Sequence, residues 1–387
     1  MNSSLRVALL IETSREYGRG LLRGISRFQR EHGPWSIYFQ PRGANEPVPT
    51  WLSTWNGDGI LARIEDRRMA RAIQKTGVPA VDLRFAVPNL GMPGVGVDNL
   101  ALVRLALDHF LDRGFTRFAF CGYPTGDFIW MDLRAKLFHD QVIQEGYRCE
   151  VFQQNLKTGK RLTWDQDQRQ LIRWIRKLEK PVAIMACNDN RGQQLLDACR
   201  RADVDVPDNI SVLGVDNDEF LCGLSTPPLS SIDINSERIG YYAAEVLQSM
   251  MNGDPAPSEP VLFPAEAVIA RTSTDSFAVE DEEFAAVLRY LRENACKGIR
   301  MADITKATGM ERRTIERRMK ATLGRSPKDE LMRIKIEESR QLLARTDMSI
   351  KNIAQAAGFS NSRYFSRVFQ TRVGTTPNAY RKLAQEG

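Results

Sequence analysis

Short apolar runs alternate with amphipathic stretches through roughly the first 275 positions. The runs Arg6–Ile11, Ser36–Phe39, Gly59–Ala62, Ala80–Leu83, Gly94–Val97, Arg117–Cys121, Ala183–Cys187, Ser211–Val215 and Val261–Phe263 have the length and near-continuous apolar character of buried strands. Between many of them, apolar residues recur at helical spacing, as with Leu21, Leu22, Ile25 and Phe28, or Leu102, Leu105, Phe110 and Leu111. Strand–helix alternation of this kind predicts an α/β fold, because parallel strands are covered by helices on both faces. Two such sheets fit in that length.

The pattern changes late in the chain. Pro255, Pro257 and Pro260 punctuate a loop, and the polar stretch Arg271–Ser276 closes the α/β region. From Asp281 onward the periodicity is helical throughout. The sequence therefore divides into a domain over 1–275 and an all-helical domain over 281–387, with the boundary within 274–281.

The helical part contains a repeat. Ile304-Thr305-Lys306-Ala307-Thr308-Gly309-Met310 matches Ile353-Ala354-Gln355-Ala356-Ala357-Gly358-Phe359 at an offset of 49 residues. The offset continues through Ile315/Tyr364, Arg318/Arg367 and Met319/Val368, then slips by one to pair Gly324 with Gly374 and Pro327 with Pro377. Each copy reads as a short helix, a glycine able to take the positive φ of a helix stop, a turn and a second helix. Ser360 is placed to cap one second helix, and Glu311 brings negative charge to the start of the other. Ile315, Met319 and Leu323 form one apolar stripe; Tyr364, Phe365, Val368 and Phe369 form the other.

Charge sharpens this picture. The chain of 387 residues has a net charge of +6, but residues 281–387 hold 22 Lys and Arg against 13 Asp and Glu, a net of +9, while the remainder is slightly acidic. A basic excess confined to one module suggests a polyanionic partner. The second helices carry much of it, as Arg312, Arg313, Arg317, Arg318 and Lys320 in one and Arg363 and Arg367 in the other. Double-stranded DNA fits that chemistry, since arginine pairs bidentately with guanine and serine bonds phosphate.

Other chemistry is sparse. The six cysteines are scattered without CxxC spacing or a nearby histidine, which points to reduced structural thiols and no metal. No nucleophile elbow or phosphate loop occurs, and Gly18-Arg19-Gly20 lacks the third glycine of a dinucleotide fingerprint. An enzyme is therefore not expected, nor a cofactor. The opening residues lead into only five apolar positions, Val7 to Ile11, too few for a signal-peptide core, and no later run approaches a membrane span. A cytoplasmic protein follows.

The run Ser349–Phe369, with Gly374-Thr375-Thr376-Pro377 and Tyr380-Arg381 after it, resembles the signature of AraC-type regulators. The resemblance implies two helix-turn-helix units flanking a linking helix, for which Asp329–Ala344 is suited. At 1.5 Å per residue that helix spans roughly 24 Å, compatible with recognition helices in successive major grooves roughly 34 Å apart. It implies base-reading roles for Arg313, Glu316 and Arg317, with Arg312 beside them, and for Ser362, Arg363, Ser366 and Arg367. Plainer roles stay open: Glu316 could pair with neighbouring arginines, Arg318 could be a solvated face residue, and Arg367 could be a structural or phosphate contact.

Earlier segments resemble the periplasmic-binding-protein-like core of LacI-type regulators: Val7–Ser14, Val97-Asp98-Asn99, Ala186-Cys187-Asn188-Asp189, Ser211–Asn217 and Thr226–Ile232. That resemblance implies a two-lobed, Rossmann-like α/β sensor closing on a small ligand beyond the carboxyl ends of the strands. By it, Arg134, Asn188 or Asp189, and Asp216 would bind the ligand from one lobe, and Glu16 and Tyr17 from the other. Here too plainer roles stay open: Asp98 and Asp216 could cap helices or order turns, Tyr17 could pack at the cleft rim, and Trp130 could stack on a sugar or fill a core. A sensor placed before an AraC-type module resembles the pentose-operon regulators of bacteria. It implies a homodimeric DNA-binding activator of a catabolic operon, with a pentose such as D-xylose as effector. The alternative is a repressor of the same architecture responding to another sugar or small polar ligand.

Overall fold

Val7, Ala8, Leu9 and Leu10 are wholly or almost wholly buried because the strand they form, β1 (Arg6–Leu10), lies inside a parallel sheet. The computed structural model describes residues 4–43, 46–87, 89–154, 162–278 and 281–385. They fall into two units, Met1–His109 with Arg117–Asp275, and Phe110–Thr116 with Ser276–Gly387.

In the first unit the chain runs β1, α1 (Glu16–His32), β2 (Ser36–Phe39), β3 (Gly59–Ala62), α2 (Arg67–Gln74), β4 (Ala80–Asp82), β5 (Val95–Val97) and α3 (Asn99–Leu111). It continues with β6 (Arg117–Cys121), α4 (Ile129–Gln144), β7 (Arg148–Val151), α5 (Trp164–Lys177), β8 (Val182–Ala186), α6 (Asp189–Ala202), β9 (Ile210–Val215) and α7 (Glu219–Leu224). The last elements are β10 (Ser230–Asp233), α8 (Ser236–Met251), β11 (Val261–Phe263) and β12 (Ala267–Ile269). One lobe is built on a parallel sheet of order β2-β1-β3-β4, the other on a sheet of order β12-β10-β9-β8-β6-β7.

Two features depart from a pair of purely parallel sheets. β5 leaves the first sheet to pair with β11 in a ladder of its own, and β12 runs antiparallel to β10. The strands that periodicity does not reveal are β7, β10 and β12. β7 and β12 lie at the edges of their sheet, and β7 alternates between exposed and half-buried positions. β10 is central, but it opens on Ser230 and Ser231, fully buried residues whose hydroxyls are taken up by Arg271 and Asp189. An apolar pattern cannot report a strand that buries hydroxyls.

The first lobe is closed by α1 lying against α8. A Cβ on Gly24 would stand 1.9 Å from the Glu237 carbonyl oxygen, and one on Gly240 would stand 2.2 Å from that of Leu21. Only glycine allows this approach.

The second unit is helical: α9 (Glu282–Asn294), α10 (Met301–Thr308), α11 (Arg312–Leu323), α12 (Pro327–Arg345), α13 (Ile350–Ala356), α14 (Ser362–Val373) and α15 (Pro377–Gln385). It holds two small cores. Ile304, Ile315, Met319 and Leu323 pack with Phe284, Val287, Leu288 and Leu291 of α9. Ile353, Ala354, Phe365 and Phe369 pack with Ile336 and Leu343 of α12. The linking helix has 19 residues, so it spans roughly 28 Å, three residues longer than the sequence suggests.

The repeat is confirmed with a corrected register. Gly309 and Gly358 both sit just past a first helix with φ of 70° and 74°. The second helices, however, start at Arg312 and Ser362, and Ile315 and Met319 are buried in the first where Phe365 and Phe369 are buried in the second, an offset of 50. The extra residue lies in the turn between the helices, not after the second one. It follows that Asn361, whose side chain accepts from the Tyr364 N–H at 2.8 Å, caps α14, and Ser360 does not.

Candidate functional site

The cleft of the first unit is lined by Arg15, Tyr17, Arg63, Arg84, Val97, Asn99, Trp130, Arg134, Asn188, Asp216 and Ile234. Five of these residues stand just past a strand: Arg63 after β3, Arg84 after β4, Asn99 after β5, Asn188 after β8 and Asp216 after β9. This is where the carboxyl ends of parallel strands present loops and helix starts to a ligand.

Asp216 has φ of 103°, a conformation that costs a non-glycine residue, and the backbone around it is held by fixed hydrogen bonds. Its N–H donates to Ile232 and that of Asn217 to the Ser231 hydroxyl. Burial pushes the Asp216 carboxyl up to about 6, against the pull of Arg134, Arg15 and Arg63. Arg134 is itself lowered by burial and steadied by Asp216; it donates to Asn99 Oδ1 at 3.0 Å and to the Cys187 carbonyl at 2.5 Å. The Trp130 ring carries guanidinium groups from Arg84 at 5.1 Å and Arg134 at 5.2 Å from its centroid. Tyr17 is buried, which raises its pKa, and it donates its hydroxyl to the Leu83 carbonyl at 2.7 Å.

Of the six residues expected from sequence to touch a ligand, Tyr17, Arg134, Asn188 and Asp216 line the cleft; Glu16 and Asp189 do not. Glu16 begins α1 and pairs with Arg19 at 3.0 Å and with Arg23. Asp189 is buried beside β9, accepting from the Ser231 hydroxyl and the Asp218 N–H, both at 2.6 Å. Burial and the neighbouring Asp216 hold its carboxyl well above the usual range. Asp98 caps α3 through the N–H groups of Leu100 and Ala101.

Sequence reasoning missed Arg15, Arg63, Arg84 and Asn99. A signal existed: Arg63 and Arg84 are the first charged residues after two of the predicted strand runs.

In the helical unit, Arg312, Arg313 and Arg317 of α11 and Arg363 and Arg367 of α14 are exposed, with Glu316, Ser362 and Ser366 half-buried. With the corrected register, Arg313 corresponds to Arg363, Glu316 to Ser366 and Arg317 to Arg367. Glu316 accepts from Arg312 at 2.8 Å. Arg318 pairs with Asp281. Lys320 donates to the Gly324 carbonyl at 2.8 Å, closing the end of α11. Arg367 lies against the Tyr364 ring at 5.7 Å. Among the described residues no helix is long and apolar enough to cross a membrane, and no group of three or more His, Cys, Asp or Glu is placed to hold a metal.

A two-lobed α/β sensor joined to a pair of helix-turn-helix units defines a DNA-binding transcription regulator with a small-molecule effector site. Comparison with known families agrees: residues 6–87 match the XylR N-terminal domain, 107–274 a periplasmic binding protein-like domain and 304–383 a helix-turn-helix domain. The xylose operon regulatory protein of Escherichia coli (strain K12) is 31% identical over 98% of this chain and 98% of its own. That of Haemophilus influenzae is 28% identical over 97% and 98%. The chain belongs to the family of xylose operon regulatory proteins. Among solved structures, that of the xylose-binding transcription activator XylR matches 99% of both chains with a TM-score of 0.63 at 29% identity. A LacI family regulator from Mycobacterium smegmatis shares the fold over 70% of this chain with a TM-score of 0.58 at 21% identity.

Proposed function

We propose that this chain is a cytoplasmic, homodimeric activator of a pentose catabolic operon, with a pentose such as D-xylose as its effector. The observation that carries the reading is the cleft. Asp216, Arg134 and Asn188 reach into it from the second lobe and Tyr17 from the first, and Trp130 offers the aromatic surface on which the C–H face of a sugar packs. Kinship with xylose operon regulators, one of them solved as a xylose-binding activator, supports the choice of sugar. On DNA, Arg313, Arg317, Arg363 and Arg367 contact bases and phosphates, with Arg312, Glu316, Ser362 and Ser366 completing the two reading faces.

A ligand shifts such a switch only by its different affinity for the two states. Calorimetry on the folded full chain with D-xylose, D-ribose and L-arabinose tests the effector, and heat from at least one is expected. No heat from any pentose would sink the pentose reading. Anisotropy on DNA selected by the chain from a random pool, with and without the binding sugar, tests the coupling.

A further inference from the structure

Within the reading of the first unit as an effector sensor, we propose that Arg19 and Asp218 form a clasp that holds its two lobes together and so sets effector affinity without touching the effector. Tyr17 and Asp216 line the cleft from opposite lobes. Two residues past each, Arg19 on α1 meets Asp218 at the start of α7, with Nη2 2.6 Å from Oδ2. Neither residue is among those lining the cleft. Each partner is fixed within its own lobe. Arg19 donates from Nε to Glu16 at 3.1 Å and from Nη1 to the Thr13 carbonyl at 3.2 Å. Asp218 is 4% exposed; its N–H donates to Asp189 at 2.6 Å, and its Oδ1 accepts from the Leu221 N–H at 3.3 Å. An ion pair between free surface side chains is worth little, because two long chains must be ordered to make it. Here both ends are ordered beforehand, and the bond is charge-assisted. The Gly18-Arg19-Gly20 motif gains a purpose in this setting. A Cβ on Gly18 would stand 1.7 Å from the Glu12 carbonyl oxygen and one on Gly20 1.8 Å from Ser236 Oγ, so the two glycines let the turn that carries Arg19 pack closely on both neighbours.

The loop between β9 and α7 ties the clasp to the cleft. Asp216 and Asn217 both hold positive φ, 103° and 51°. The Asn217 side chain is bonded to Asp233 at 3.1 Å and to Arg271 at 2.9 Å. A loop so constrained carries Asp216 in the cleft and Asp218 at the clasp as one piece. Other contacts also join the lobes: Arg15 stands 4.9 Å from the Phe128 ring centroid and Arg84 5.1 Å from that of Trp130. Arg15, Arg84 and Trp130 line the cleft, so an effector meets them directly. The Arg19–Asp218 pair acts on closure alone. A ligand that needs the closed cleft has its apparent affinity scaled by the fraction of protein that is closed. An ion pair made only on closure raises that fraction, and it does so for every ligand alike. The clasp therefore strengthens binding without choosing among sugars.

The test measures pentose affinity by calorimetry and lobe separation by pulsed electron spin resonance on the full-length chain. Spin-labelled non-natural residues replace the exposed Lys75, after α2, and Lys177, at the end of α5, one on each lobe. Arg19→Gln, and Asp218→Asn, which keeps the acceptor for Leu221, are each expected to weaken D-xylose binding about tenfold, the worth of one charge-assisted bond. Both are expected to shift the lobes toward wider separation, with and without sugar, in protein whose melting temperature shows it folded. The double variant is expected to lose no more than either single one, since both remove the same contact. The order of preference among D-xylose, D-ribose and L-arabinose should stay as in the parent. Arg27→Gln, the same charge change on the same helix, should alter neither affinity nor separation. An unchanged lobe separation in both clasp variants overturns this inference whatever the sugars do, and so do additive losses or an altered preference. No heat from any pentose, with separation shifted by the clasp variants, overturns the pentose reading and leaves the clasp standing.

Discussion

At the scale of single residues, burial decides between alternatives that a sequence leaves open. Asp82 shows this with a measurable consequence. It is 1% exposed, its Oδ2 has no partner, and burial pushes the carboxyl up to about 7. The unfolded chain loses that proton near pH 3.9. Between about pH 4 and 7 the folded state therefore binds more protons than the unfolded one, and stability falls as pH rises. Asp216, raised to about 6, acts in the same direction. Asp82→Asn keeps the acceptor for Ile64 and Arg84 and removes one part of this loss. Its melting temperature is expected to exceed that of the parent by several degrees at pH 8, at about 2–4 °C per kcal/mol, and the gap is expected to shrink as pH falls and close only below about pH 4. Parallel melting curves across that range, followed by scanning fluorimetry, would refute the assignment. The arginines of α11 divide in the same way. Arg313→Ala is expected to weaken DNA binding by about 1–3 kcal/mol and relax specificity at one position. Arg318→Ala, which loses only the pair with Asp281, should leave sequence preference intact. A competition assay on single-base operator variants separates the two.

Among the elements, the two helix-turn-helix units are copies in pattern but not in surroundings. Gly309 has open space where a Cβ would stand, so Gly309→Ala meets only the strain of positive φ, about 1 kcal/mol. A Cβ on Gly358 would stand 2.4 Å from the Cys296 carbonyl oxygen, so Gly358→Ala must displace backbone as well. The second substitution is expected to cost about 1–3 kcal/mol more than the first, because overpacking adds that much to the strain. Urea denaturation of the two variants checks the order, and equal midpoints would show that the backbone gives way freely. The periodicity made both units legible, down to the apolar stripes. It could not place the extra residue of the second turn. Arg318/Arg367 and Met319/Val368 match well enough by type to hide a one-residue slip that burial of Phe365 and Phe369 makes plain. Strands were legible where both faces are apolar, as in β8 and β9. They were illegible where an edge is wet or a hydroxyl is buried.

For the whole molecule, sensing and DNA binding are linked by thermodynamics whatever the route between them. If the effector raises DNA affinity by some factor, operator DNA must raise effector affinity by the same factor. Calorimetric titration of the effector with and without saturating operator should give a ratio matching that from anisotropy; unequal ratios would exclude a single coupled equilibrium. DNA affinity should also fall steeply with salt, and removing one arginine–phosphate contact should reduce the slope of log K against log salt by about 1. The sequence by itself determined the two regimes of the chain, most of its strands, the repeated helical unit and the basic module, because these are local patterns of burial and charge. Tyr17, Arg134, Asn188 and Asp216 were legible as candidates through the strand-end rule and family resemblance. Only the tertiary structure decided which side chains meet. It turned Asp189 into the core and Glu16 toward Arg19 and Arg23. It also brought Arg15, Arg63 and Arg84 from the ends of three strands to one wall, since convergence across a sheet depends on contacts that no local pattern records.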